Sequence, residues 1–149
     1  MSTDRIEKRI VLHAPRARVW RALTDPHEFG RWFGARLTGA FAPGAHIAAQ
    51  LTIPGHEHVK FELVVETVEP EVMLAFRWHP APGDPEYDYT SEPMTLVEFR
   101  LAEVADGTEL TVSESGFDRL PPSRRAQAFR MNERGWAAQL QNIHGHVSA

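Results

Sequence analysis

An α+β fold, an antiparallel sheet covered by one long C-terminal helix, is what this sequence predicts. Residues 123–147 contain no proline and place Phe129, Trp136, Leu140, Ile143 and Val147 at helical spacing. At roughly 100° per residue these five side chains fall on one stripe. Before residue 120 the chain is mostly short strand-like runs separated by proline and glycine turns. A long amphipathic helix at the end of a strand-rich chain must bury its stripe, and the apolar face of the sheet is the surface that accepts it.

The elements follow in order. Residues 6–12 alternate apolar with charged side chains, imperfectly, as a first strand, and Ala14-Pro15 ends it. Residues 16–23 form a short helix with Val19, Trp20 and Leu23 inward, stopped by Thr24-Asp25-Pro26. A second short helix over 27–31 delivers Trp32 and Phe33 ahead of Gly34. Strands are predicted over 36–41, 46–53, 59–68 and 72–78, separated by Pro43-Gly44, Pro54-Gly55 and Pro70. Residues 79–93 form a loop holding Pro80, Pro82, Pro85 and Pro93, with an acidic bias from Asp84, Glu86, Asp88 and Glu92. Strands over 94–104 and 108–114 then make a hairpin about Ala105-Asp106-Gly107. The order is β-α-α-β-β-β-β-β-β-α, with no internal repeat or linker.

Composition narrows the function classes. A chain of 149 residues is read as one domain, 1–149, able to bury about two-thirds of the surface its unfolded form exposes. No apolar run approaches the roughly 20 residues that span a bilayer, and residues 1–5 lack the apolar core of a secretory signal. With no cysteine, disulfide and thiol chemistry are excluded, and a cytoplasmic setting is expected. The formal charge of −4 argues against nucleic acid, which needs a basic surface. Arginines cluster at Arg16, Arg18 and Arg21 and at Arg124, Arg125, Arg130 and Arg134, where solvated helix faces are expected.

The hairpin decides which side chains meet the helix. Thr95, Val97, Phe99 and Leu101 share one face of its first strand, and Leu110, Val112 and Glu114 share one face of its second. Phase therefore turns Glu114 inward, where a carboxylate needs a partner. The expectation is a rim position paired with a nearby arginine; the alternative is a polar anchor at a cavity mouth. Phe61, Leu63 and Val65 lie on one face and Val68 falls out of phase, which predicts a bulge or bend in that strand. Gly135 inside the helix costs about 1 kcal/mol relative to alanine and is expected to permit a close approach or a bend. Asn132 and Gln139 flank the apolar stripe.

These residues resemble the single-domain members of the START-like (SRPBCC) superfamily related to the C-terminal domain of the activator of Hsp90 ATPase. The resemblance covers nearly the whole chain: Ala14-Pro15 followed by the run from Val19 to Pro26, Trp32, Pro43-Gly44, and Val68-Glu69-Pro70 ahead of Leu74, Phe76 and Trp78. It continues through Gly107-Thr108, the run Leu110, Val112, Glu114, Ser115, Gly116 and Phe117, and the closing Gly135-Trp136 with Leu140. The resemblance implies a helix-grip fold, a curved seven-stranded antiparallel sheet around the C-terminal helix with two short helices closing one end. Its members include binders of hydrophobic molecules, polyketide cyclases, resistance proteins and co-chaperones. This chain departs from the pattern in the acidic loop after Trp78, and the extra N-terminal domain of the co-chaperones is not expected here.

The resulting expectation is a cavity between sheet and helix for a small hydrophobic or aromatic molecule, with a stress- or resistance-related role. Its expected ligand-binding set is Trp32, Phe61, Leu63, Phe76, Trp78, Val97, Phe99, Glu114, Asn132, Trp136, Gln139 and Leu140. Two alternatives remain open. One is a co-chaperone-like activator of a chaperone ATPase. The other is a polyketide cyclase-like enzyme with His79 and Glu114 as acid–base residues at the pocket rim. No phosphate-binding loop occurs, and no catalytic residue, metal or cofactor is assigned. His56-Glu57-His58 and His144-Gly145-His146 are expected to be exposed polar residues. A monomer or homodimer is expected, with no membrane span.

Overall fold

The computed structural model describes residues 4–82 and 86–148. Strand β1 (Arg5–Leu12) leads to helices α1 (Arg16–Thr24) and α2 (Pro26–Phe33). Six strands follow: β2 (Ala35–Thr38), β3 (His46–Leu51), β4 (Lys60–Glu69), β5 (Met73–Trp78), β6 (Thr95–Val104) and β7 (Gly107–Ser115). Helix α3 (Pro122–Ser148) closes the chain. The strands form one antiparallel sheet in the order β1-β7-β6-β5-β4-β3-β2. The two short helices therefore carry the chain from one edge of the sheet, β1, to the other, β2. This is the helix-grip architecture expected from the sequence.

Local chemistry explains where elements begin and end. Asp25 caps α2 by accepting from the backbone N–H groups of His27 and Glu28, at 2.9 and 3.1 Å, and Pro26 occupies the first turn, where its missing N–H costs nothing. The helix runs past the predicted end at residue 31 because Gly34, at φ +88°, terminates it in the left-handed conformation. Strand β2 stops at Thr38, short of the predicted residue 41, where Gly39 turns to φ +137°. The out-of-phase Val68 does mark an irregularity, since the β4–β5 register shifts between Val65 and Thr67. In the acidic loop Tyr89–Ser91 form a single 3-10 turn. Residues 83–85, Asp84 among them, lie outside the described residues.

The inner face of the sheet and the stripe of α3 meet as one core. Leu63, Val65, Leu74, Phe76, Val97, Phe99, Leu110 and Val112 are buried on the sheet, and Trp136, Leu140, Ile143 and Val147 on α3. Each such side chain contributes roughly 1.5–3 kcal/mol relative to exposure. At 27 residues the helix is about 40 Å long. Phe129, at its outer end, is only half-buried and packs edge-on against Phe117 with ring centroids 5.3 Å apart. Gly135 does not serve a close approach: it is exposed, and a Cβ there would meet nothing within 4 Å. Its lack of a side chain keeps a groove open.

Two ionic clusters fasten the ends of this assembly. Glu28 on α2 accepts from Arg18 at 2.6 Å and Arg21 at 2.8 Å, both on α1, and meets His146 Nε2 of α3 at 2.9 Å. Burial opposes ionisation of Glu28, but the hydrogen bonds from His146, Arg18 and Arg21 prevail and lower its pKa to about 2. At the other end the Arg124 guanidinium holds the buried Glu92 carboxylate at 3.1–3.2 Å and donates to the Pro80 carbonyl oxygen at 2.8 Å. Arg124 also lies over the Tyr89 ring at 4.7 Å, and Tyr87 donates to Glu92 at 2.6 Å. Neither Arg124 nor His146 is the solvated residue the sequence suggests, because each finds a carboxylate far away in the chain.

Candidate functional site

Phase along β7 places Glu114 inward, and the structure buries it completely. The expected arginine partner is absent among the described residues. Instead Trp136 Nε1 and Asn132 Nδ2 donate to Oε1 at 2.8 and 2.9 Å. Trp78 Nε1, the Thr95 hydroxyl and Asn132 Nδ2 donate to Oε2 at 2.8, 2.5 and 3.1 Å. The two indoles can only donate, so the ring of groups fits an ionised carboxylate that accepts at every contact. Glu114 thus joins β5, β6, β7 and α3 through one side chain. The arginines lie elsewhere, on helix faces or in the pairs described above, which is why the rim pairing fails.

The two indoles pinned by Glu114 stack at 5.6 Å with an interplanar angle of 23°. Phe33 packs against both, 6.0 Å from Trp78 and 6.5 Å from Trp136. Beside this cluster opens a cavity of about 190 Å³. Its walls are Phe33 of α2, Leu51, Ile53, Val59 and Phe61 around the β3–β4 turn, Trp78 and His79 at the end of β5, Ala81 and Pro82 of the loop, and Asn132 and Gln139 of α3. A second compartment of about 110 Å³ adjoins it, bounded by Phe33, Trp78, Asn132, Gly135, Trp136 and Gln139. For scale, an apolar cavity of about 150 Å³ holds benzene.

The polar groups at the wall are few and mostly engaged. The Gln139 amide nitrogen donates to the Phe33 carbonyl oxygen at 2.9 Å, and its oxygen accepts from Asn142 at 3.1 Å. His79 Nδ1 is buried without a hydrogen-bond partner. Burial pushes the His79 imidazole below its ordinary value against the pull of the Glu92, Asp88 and Glu62 carboxylates, so the ring is neutral at pH 7. No hydrogen bond joins His79 to Glu114 among the described residues, and both Glu114 oxygens accept from neighbouring donors.

The structure sorts the sequence-derived site residues into three groups. Phe61, Trp78, Asn132, Trp136 and Gln139 border the two compartments. Glu114 lies beneath them, holding three of them in place. Leu63, Phe76, Val97, Phe99 and Leu140 are packed in the core, and so is Trp32, whose indole donates to the Ala22 carbonyl oxygen at 2.8 Å. On α2 it is Phe33 that reaches the cavity, one residue on and about 100° further round the helix. Sequence reasoning missed Phe33, Leu51, Ile53, Val59, Ala81 and Pro82 as wall residues. Only proximity to the Pro54-Gly55 turn and to the proline-rich loop could have pointed to most of them.

His56 and His58 lie exposed in the β3–β4 turn. Among the described residues no three His, Cys, Asp or Glu side chains gather as a metal site would require.

Residues 13–148 match the family model for Activator of Hsp90 ATPase homolog 1-like protein. The chain belongs to that family. As an activator-of-Hsp90-ATPase-homologue-like, START-like chain it also resembles solved structures along almost its whole length. Protein MLL2253 from Mesorhizobium loti is 24% identical, with a TM-score of 0.76 over 97% of this chain and 96% of that one, a likeness of fold. DynU16, a protein in the dynemicin biosynthetic locus, is 27% identical with a TM-score of 0.74. It covers 98% of this chain, which spans only 48% of DynU16. CalU16 from Micromonospora echinospora is 25% identical, with a TM-score of 0.64 over 97% of this chain and 74% of that one. Among curated proteins none matches. No helix of the described chain is long and apolar enough to cross a membrane.

Proposed function

We propose that this protein binds a small hydrophobic or aromatic molecule in the cavity between the sheet and α3. The observation that carries the reading is the contrast between the Glu114 network and the space beside it. Four hydrogen bonds to Glu114 hold Trp78, Trp136 and Asn132 rigidly, yet the volume they border is left open. Protein interiors are normally packed to crystal-like density. A rigid aromatic wall facing about 190 Å³ of space is therefore a receptor surface rather than slack. Ile53, 41% exposed at the cavity wall, marks the side open to solvent.

The binding reading is favoured over enzymatic turnover because the carboxylate buried beside the cavity, Glu114, has both oxygens engaged by neighbouring donors. Among the described residues no surface feature specifically supports a co-chaperone role. The test is thermal denaturation with a panel of small aromatic and acyl compounds, since a ligand of the native state raises the melting temperature. Members of the panel are expected to raise it in the unaltered chain. The Ala81→Phe variant, which fills the cavity from the loop side, should fold and lose the response. No response to any compound, or an equal response in Ala81→Phe, contradicts the reading.

A further inference from the structure

The cavity is electrostatically one-sided. Glu114 carries a buried negative charge with no cationic partner among the described residues, and its neighbours satisfy it with neutral donors. Those donors are consequently turned away from the cavity. Asn132 gives its amide nitrogen to both Glu114 oxygens, which leaves Oδ1 as the open group of a residue at the wall. Gln139 is engaged at both ends of its amide. His79 contributes a neutral ring whose buried Nδ1 has no partner. Arg124, a cation near the loop, is committed to Glu92 and the Pro80 carbonyl. What faces the space is a set of acceptors and aromatic faces, with a carboxylate behind them.

An indole that donates its N–H to a carboxylate is polarised, and its ring face becomes richer in electron density. A cation over such a face is attracted by the ring quadrupole, most strongly for tryptophan and most strongly when desolvated. Trp78 is both hydrogen-bonded to Glu114 and part of the cavity wall. A carboxylate or phosphate guest would meet like charge, with the second Gln139 amide N–H and the imidazole N–H as the donors left to it.

Resting on the cavity being a ligand site, we propose that it selects organic cations: a protonated amine on a small apolar or aromatic body. The body fills the apolar wall formed by Phe33, Phe61 and Val59, while the ammonium lies against Trp78 and donates toward Asn132 Oδ1. The volume of about 190 Å³ suits a single ring with a short chain.

Isothermal titration calorimetry at pH 7 with 2-phenylethylamine, 2-phenylethanol and phenylacetate tests this. The three probes share ring and chain length and differ in head group. The amine should bind tightest and the acid weakest, about tenfold or more apart, the scale set by roughly 1.4 kcal/mol of charge discrimination. In Glu114→Gln the advantage of amine over alcohol should collapse. Acid or alcohol binding as tightly as the amine overturns the charge selectivity and leaves the cavity intact. Binding by none of the three removes the cavity reading and this proposal together. A folded Glu114→Gln that keeps the full preference for amine overturns the part given to Glu114. If that variant does not fold, the ranking of the three probes on the unaltered chain decides alone.

Discussion

Glu114 shows how one residue in strand phase becomes the centre of a site. Because four side chains donate to it, replacements should hurt in proportion to the donors they strand. Thr95→Val removes one hydroxyl and should cost about 1–2 kcal/mol. Glu114→Gln sets an amide N–H₂ against donors and should cost about 2–4 kcal/mol. Urea denaturation of both variants checks this, and equal small losses would mean the network is not cooperative. Trp136→Ala should cost about 3–5 kcal/mol, since the indole is 3% exposed and hydrogen-bonded. The inward turn of Glu114 was legible from the alternation of Leu110, Val112 and Glu114. Its partners were not, since Trp78 lies 36 residues before it and Trp136 lies 22 after. A local pattern contains nothing about which strand end meets which helical turn.

Between elements, ion pairs set the geometry that periodicity cannot. Glu28 ties α2 to both α1 and α3, with its pKa lowered from the ordinary 4.5 to about 2. A carboxyl lowered on folding stabilises the native state above its unfolded value, and that gain is lost as the pH falls through the folded value. Glu28→Gln should therefore lower stability at pH 7 by on the order of 1 kcal/mol, a modest figure because the cluster is partly solvated. The difference from the unaltered chain should shrink as the pH falls from about 4.5 to about 2. Melting temperatures across that range measure it, and a pH-independent difference would contradict the assignment. Arg124→Gln should expose the loop on both sides of residues 83–85 to faster amide exchange and cost about 3 kcal/mol, because the buried Glu92 loses its cation. Apart from the end of β2, the strands, the hairpin and α3 could be read from apolar spacing within a residue or two. Arg124 and His146 could not, because a charged residue on a helix looks the same whether it meets water or a carboxylate 32 or 118 residues away.

The whole molecule is a sheet that wraps one end of a helix tightly and leaves space near its middle. The tight part follows from the stripe Trp136, Leu140, Ile143 and Val147, which the sequence displays openly. The space does not, because an unfilled volume depends on side chains from β3, β4, β5, α2, α3 and the loop all stopping short of one another. Gly135 illustrates the difficulty: its sequence context suggested a close approach or a bend, whereas it borders the groove. The family likewise establishes the fold and leaves the occupant to the local chemistry of the wall. That chemistry is aromatic, rigid and poor in free donors.

A titration followed by ¹⁵N–¹H NMR, with 2-phenylethylamine added to the labelled chain, tests the account most directly. Saturable shifts are expected at the indole N–H groups of Trp78 and Trp136, the Asn132 side-chain amide, and the backbone of Phe33 and Phe61, with Val11 and Glu103 unmoved. Shifts scattered over the outer face of the sheet, or indole N–H signals that stay fixed at saturation, would contradict it.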